Sequence, residues 1–259
     1  MSMIVTETDG PLYKIIFNRP EKKNAFLQEA YRALEAALKE ADADDAIAAI
    51  VFLAEGEAFS SGNDVADFGP DVVKNLAGDF RNAPVMKFLH TLNNAEKPIV
   101  AGVNGLAVGV AVTMLLHCDL VYAAPSASFT IPFTKLGIVP EAASSLLLPR
   151  VIGYPKAADM LLRCRMMTAE EADAAGLLSE ILHEEDFRSA VLDRAGDLAD
   201  KAPEALKITK AMMKKNRPEI AERIDYEAEF FLERLHSAEV AEAVAAFFEK
   251  RKPDFRKSG

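Results

Sequence analysis

Residues Lys97 to Asp119 read KPIVAGVNGLAVGVAVTMLLHCD, and the fold turns on how this stretch is divided. Pro98 to Val103 is a continuous apolar run of strand length. Asn104 and Gly105 supply a turn, and the chain then runs into an apolar helix beginning near Gly109. A strand that feeds a helix through a glycine-rich turn leaves unpaired backbone N–H groups at the helix start. With the helix dipole, such groups suit an anion or a developing oxyanion. The Val110 N–H is therefore read as half of an oxyanion hole. The competing reading is a core helix with tight glycine packing.

Working outward, Ile4 to Thr8 and Leu12 to Phe17 are predicted as strands around an Asp9-Gly10-Pro11 turn. Ala30 to Ala41 is an amphipathic helix with Ala30, Leu34, Ala37, Leu38 and Ala41 on one face. Ile47 to Ala54 is a buried strand, and Glu55 to Val65 a loop. Asp67 to Asn94 should hold two short helices with a mobile loop between them. Further strands are expected at Leu120 to Ala123, Ser128 to Ile131 and Leu177 to Leu182. Helices are expected at Ala142 to Val151, Lys156 to Leu162 and Ala169 to Ala175, the last capped by Thr168. Beyond Glu184 the pattern is helical: Phe187 to Lys201, Pro203 to Lys215, and Pro218 through His236 to Lys250. Alternation of strands and helices followed by helices alone predicts an α/β core, residues 1–185, with a helical C-terminal region, residues 186–259.

A chain of 259 residues, half of them hydrophobic, is large enough for its own core. Its formal net charge of −10 argues against a nucleic-acid partner. The cysteines, Cys118 and Cys164, are far apart and lack metal-ligand spacing, so no metal site is expected and a reducing compartment is. The first residues lack a signal-peptide core, and the apolar run Ala101 to Leu116 is short for a membrane span. A cytoplasmic location without membrane contact follows as an expectation.

Two places attract chemistry. In Ser60-Ser61-Gly62-Asn63-Asp64 a backbone of small residues lets a ligand approach closely, and the Asn63 N–H is the candidate for a second oxyanion donor. Asp64 is read as the cap of a following helix. Glu141 lies in Leu136-Gly137-Ile138-Val139-Pro140-Glu141-Ala142-Ala143 with no cation within four positions on either side. A carboxyl in so dry a neighbourhood should have a raised pKa, as a general base near neutrality requires. The competing reading is a solvent-facing glutamate in the first turn of a helix. No GxSxG, GxGxxG or HExxH pattern occurs. The basic cluster Lys250, Arg251, Lys252, Arg256 and Lys257 reads as a solvated tail.

Taken in order, Asn18-Arg19-Pro20 with Asn24-Ala25, Ala58-Phe59-Ser60-Ser61-Gly62-Asn63-Asp64, Ile99-Val100-Ala101-Gly102-Val103-Asn104-Gly105 with Gly109 and Cys118-Asp119, Leu136-Gly137, and the ending Phe247-Phe248-Glu249-Lys250-Arg251-Lys252-Pro253 resemble the crotonase (enoyl-CoA hydratase/isomerase) superfamily. The resemblance implies a spiral of ββα units with a helical C-terminal trimerisation region, assembled as a homotrimer or a dimer of trimers. It implies an acyl-CoA substrate, coenzyme A being part of that substrate and no separate cofactor being needed. The thioester oxygen would sit between the N–H groups of Asn63 and Val110. Coenzyme A contacts map to Ala25, Ser61 and Val65, and to Phe247 and Lys250 of the tail, which resemble residues that reach a neighbour's coenzyme A. The two glutamates of the hydratases align with Thr113 and Phe133. Pro140-Glu141-Ala142-Ala143-Ser144-Ser145 instead is similar to the segment holding the single catalytic glutamate of peroxisomal-type Δ3,Δ2-enoyl-CoA isomerases. The expected activity is a shift of a 3-enoyl-CoA double bond to the 2-trans position through a dienolate. The alternatives are a hydratase or other acyl-CoA enzyme with relocated acids, and a non-catalytic acyl-CoA-binding protein. Phe68, Phe80, Met86 and Leu89 are predicted to shape the acyl pocket.

Overall fold

A computed structural model describes residues 2–64, 80–183 and 185–256. The hairpin β1 (Ile4–Asp9) and β2 (Leu12–Phe17) is antiparallel, and β2 then pairs in parallel with β3 (Ala49–Ala54). Between them runs α1 (Gln28–Ala43), which buries Ala30, Tyr31, Leu34, Ala37, Leu38 and Ala41 on one stripe. All six residues of β3 are buried. Ile50 and Phe52 belong to the main core while Ala49, Val51 and Leu53 belong to a second cluster on the opposite face. A parallel strand covered on both sides needs no polar alternation, which is why it reads as a continuous apolar run.

The next strands come in pairs: β3 with β4 (Ala58–Ser60), β5 (Ile99–Val103) with β6 (Leu106–Val108), and β7 (Leu120–Ala123) with β8 (Ser128–Thr130). The first member of each joins a six-stranded sheet and the second a four-stranded sheet. β9 (Met167–Thr168) closes the small sheet antiparallel to β8, and β10 (Glu180–Ile181) adds to β7 of the large one. The chain therefore climbs as a spiral, giving one strand to each sheet per turn. β4 and β6 are absent from the sequence reading, where Glu55 to Val65 is a loop and Asn104-Gly105 leads straight into a helix. Both strands have three residues, too few to establish a period.

The helix after β6 is also shorter than expected. α3 (Val110–Thr113) has four residues and tightens into a 3-10 turn over Met114–His117. α2 (Pro84–Asn94) starts at a proline; the expected companion helix and loop before it fall outside the described residues. α4 (Ser144–Ile152), α5 (Tyr154–Arg163) and α6 (Ala169–Ala175) follow, α6 carrying a full capping box between Thr168 and Glu171. α7 (Phe187–Ala199) packs on the second face of the large sheet, and α8 (Pro203–Met213) succeeds it. The expected continuous helix to Lys250 is two: α9 (Arg217–Leu235) and α10 (Ala238–Phe248), separated by His236 and by Ser237, whose hydroxyl accepts the Val240 N–H. Serine at that position offers a cap that competes with helix continuation.

Candidate active site

The site begins with a polar loop sewn to a strand. Asn24, 1% exposed, donates through Nδ2 to the carbonyls of Glu55 and Ala58 and accepts the Arg19 N–H, all at 2.8 Å. Its own carbonyl accepts from Ser60 Oγ. Arg19 reaches the Ala25 carbonyl at 3.2 Å and the Asp64 carboxylate at 2.7 Å. This explains why Asn18 to Ala25 and Ser60 to Asp64, far apart in sequence, form one surface. The helix expected after Asp64 lies outside the described residues; the carboxylate itself pairs with Arg19.

Phe26 forms a parallel bridge with Asn63, bonding to the Gly62 carbonyl and the Asp64 N–H. In such a bridge the backbone N–H of Asn63 itself points away from Phe26. Gly62 has φ +80, and a Cβ on it would stand 2.6 Å from the Val108 carbonyl oxygen and 3.9 Å from the Val110 nitrogen. Only glycine permits this approach, and it brings Asn63 beside the start of α3. The Asn63 side chain accepts a short hydrogen bond from the hydroxyl of Tyr31, a partner with no sequence signal because it sits a helix away. With α3 so short, the arrangement rests on individual N–H groups and little on a helix dipole.

Glu141 stands outside α4, not in its first turn. Ala142 and Ala143 both have φ of +57, a left-handed pair costing roughly 1–2 kcal/mol per residue. They turn the chain before Ser144 and direct Glu141 inward. The His117 ring Nε2–H donates to the Ala142 carbonyl at 2.9 Å; burial pushes the imidazole pKa down to about 4, so the ring is neutral. Thr113 Oγ1–H donates to Glu141 Oε1 at 2.5 Å, while Oε2 is buried without a partner among the described residues. Desolvation is the main reason the Glu141 pKa is raised to about 8; the Thr113 hydroxyl opposes the shift and the charge of Glu227 adds to it. Phe133 is buried against Gly109, a Cβ on which would lie 3.5 Å from its ring.

Glu141 and Asn63 line one cavity, walled by apolar side chains that include Phe80, Met86, Leu89 and Phe231. Glu141 is the only carboxyl among its described lining residues. Phe80, Met86 and Leu89 stand where the acyl pocket was expected, and Phe68 and Val65 lie outside the described residues. A second cavity shares Asn63 and is lined by Ser61, Ile138 and Phe247. Phe247 thus flanks a cavity of its own chain, while Lys250 lies exposed just beyond it. The N–H groups of Ala25 and Ser61 donate to the carbonyls of Lys22 and Lys23, and the Ser61 hydroxyl donates to the Lys22 carbonyl at 3.4 Å. Val110 is buried, its nitrogen 3.9 Å from where a Gly62 Cβ would stand, and it is not among the described residues that line either cavity.

Paired strands rising in a two-sheet spiral, with one carboxyl and Asn63 on the wall of an apolar cavity, define an α/β protein whose described cavity lining holds a single acid. The chain belongs to the enoyl-CoA hydratase/isomerase family, whose description matches residues 7–258. It is 40% identical over 217 residues to enoyl-CoA delta isomerase 2 of Rattus norvegicus, covering 83% of this chain and 55% of the relative. It is 36% identical over 258 residues to the peroxisomal enoyl-CoA delta isomerase 3 of Mus musculus, covering 96% of this chain and 79% of the relative. The crystal structure of an enoyl-CoA hydratase/isomerase from Pseudoalteromonas atlantica T6c superposes with a TM-score of 0.92 at 41% identity, over 98% of this chain and 100% of that one. The chain spans little more than half the length of the rat relative.

Proposed function

We propose that the protein shifts the double bond of a 3-enoyl-CoA to the 2-trans position, with Glu141 as the sole proton carrier. The observation that carries this reading is a lone carboxyl on the cavity wall, half satisfied by Thr113 and with its other oxygen dry. Ionised Glu141 takes a proton from C2. The electron pair moves through the conjugated system onto the thioester oxygen, giving a dienolate. The N–H groups of Asn63 and Val110 would hold that oxygen; loss of one such donor typically costs ~3 kcal/mol of transition-state stabilisation. Protonated Glu141, an acid of pKa about 8, then returns the proton at C4, and charge and atoms balance without a second acid. Hydration would need a group to activate water as well, and Thr113 and Phe133 cannot supply one.

The second cavity shares Asn63 with the first and would take the coenzyme A portion, with the exposed Lys250, three residues beyond Phe247, available to its phosphates. Ile208, Met212, Met213 and Tyr226 are more than half exposed, which supports burial of the C-terminal helices in a homotrimer or a dimer of trimers. Among the described residues no helix is long and apolar enough to cross a membrane.

The test is 3-enoyl-CoA turnover by the wild type and Glu141→Gln. A loss of about 10²- to 10⁴-fold is expected, the usual contribution of a positioned acid/base. Equal rates would remove Glu141 from the chemistry. Crotonyl-CoA hydration faster than isomerisation would favour the hydratase reading, and thermal stabilisation by acyl-CoA without turnover of any enoyl substrate the binding-protein reading.

A further inference from the structure

Ile224, Ala228, Phe231 and Leu235 of α9 face the first cavity. Glu227 shares that helix, is 5% exposed, and does not line the cavity. A buried carboxyl is costly unless it is bonded. Its Oε1 accepts the Ser145 N–H at 2.9 Å and the Ser145 hydroxyl at 2.5 Å. Arg223, one turn earlier, donates to the same hydroxyl oxygen at 3.2 Å. A guanidinium and a backbone N–H only donate, so the serine proton must go to Glu227. The chain of bonds runs from Arg223 through Ser145 into Glu227, a polarity that matches a carboxylate at its end. Oε2 is buried with no partner among the described residues.

Ser145 is the second residue of α4, immediately after the left-handed pair Ala142–Ala143 that aims Glu141. That pair is pinned at one end by His117 on the Ala142 carbonyl. Glu227 pins the other end. We propose that Glu227 is a positioning residue for Glu141, as the clamp that holds the Ala142–Ser145 turn and as a like charge behind it. This rests on Glu141 being the acid/base of the proposed isomerisation. The groups facing Glu227 support both roles. Glu141 comes from the turn, Arg223 from the same helix, and the Ala143 N–H turns toward the same carboxylate. Asp225, two positions along and so on another face of the helix, bonds to His90 of α2 at 2.9 Å. Burial is the largest cause of the raised Glu141 pKa and the charge of Glu227 adds to it; burial also raises the Glu227 pKa, opposed by its bonds to Ser145 and by the charge of Arg223.

Glu227→Gln and Glu227→Ala separate the two roles. The Gln amide oxygen still accepts the Ser145 N–H, so its kcat should stay within about threefold of wild type while the ascending limb of kcat against pH moves to lower pH. The Ala variant loses the clamp, and its kcat should fall about 10- to 100-fold, the scale expected for a displaced reacting group, with KM within twofold. The Glu141 carboxyl is titrated in parallel by 13C NMR of Glu-labelled protein, assigned against Glu141→Gln. A wild-type kcat with an unmoved pH limb in Glu227→Ala, or a rise in KM at unchanged kcat, would overturn the proposal. Should the Ala variant not fold, an unmoved Glu141 titration in Glu227→Gln would overturn it alone. A wild type without isomerase turnover would sink the functional reading, while the NMR titration would still decide whether Glu227 acts on Glu141.

Discussion

Thr113→Val removes one hydroxyl and keeps the shape of the side chain, in a helix turn that is fully buried. The hydroxyl is the hydrogen-bond donor to Glu141 Oε1, at 2.5 Å, and it lowers the Glu141 pKa against the upward pull of burial. A hydrogen bond to a charged group contributes about 1.5–3 kcal/mol, and a pKa unit is about 1.4 kcal/mol, so the carboxyl should climb by roughly one to two units from about 8. The sign follows from the role of the group. A general base works ionised, so activity rises with pH through its pKa, and a higher pKa moves the rising limb to higher pH. At pH 7, a unit below the wild-type value, the ionised fraction should fall about 10- to 100-fold and the rate with it, recovering as the pH is raised. The assay is 3-enoyl-CoA conversion followed by absorbance of the conjugated thioester at a series of pH values, with circular dichroism confirming the fold. A rising limb that stays at the wild-type position, or moves to lower pH, would refute the assignment of Thr113 as the partner of an ionisable base.

The same carboxyl has a thermodynamic signature. Its folded pKa of about 8 lies above the ordinary carboxyl value of 4.5, so the native state holds the proton more tightly and stability falls as pH rises between the two values. Glu141→Gln should therefore melt higher than wild type at pH 9, by the equivalent of a few kcal/mol, with the difference shrinking toward pH 4; a melting difference independent of pH would contradict it. Gly62→Ala should disrupt both loops, because its Cβ would stand 2.6 Å from the Val108 carbonyl at a φ of +80. A stability loss of at least about 1–3 kcal/mol, measured by denaturant titration, and a fall in kcat are expected; unchanged kcat in a folded Ala variant would separate this approach from catalysis.

The hairpin, β3, β5, β7 and the N-cap at Thr168 were legible because each is a local pattern: an apolar run, a turn, or a cap residue ahead of a helix. Burial on both faces made β3 and β5 easy to find. The short second strands were not legible, since Ala58–Ser60 and Leu106–Val108 pair with each other about 48 residues apart along the chain, and Leu106–Val108 pairs again with Ser128–Thr130. The isolation of Glu141 from cations also showed in the sequence and correctly marked a dry carboxyl. Its placement did not, because alanine gives no sign that it will adopt a positive φ.

By itself, then, the amino-acid sequence determined the order of the main strands and helices, the glycine that lets two loops touch, and the one carboxyl worth watching. Those are properties of neighbours along the chain, set by periodicity, backbone freedom and local charge. Tertiary structure alone decided that Thr113 meets Glu141, Tyr31 meets Asn63, and His117 and Glu227 hold the Ala142 carbonyl and Ser145 on either side of the turn after Glu141. Each of those contacts spans 25 to 82 residues, and no local propensity encodes a hydrogen bond whose partner arrives only when the core closes.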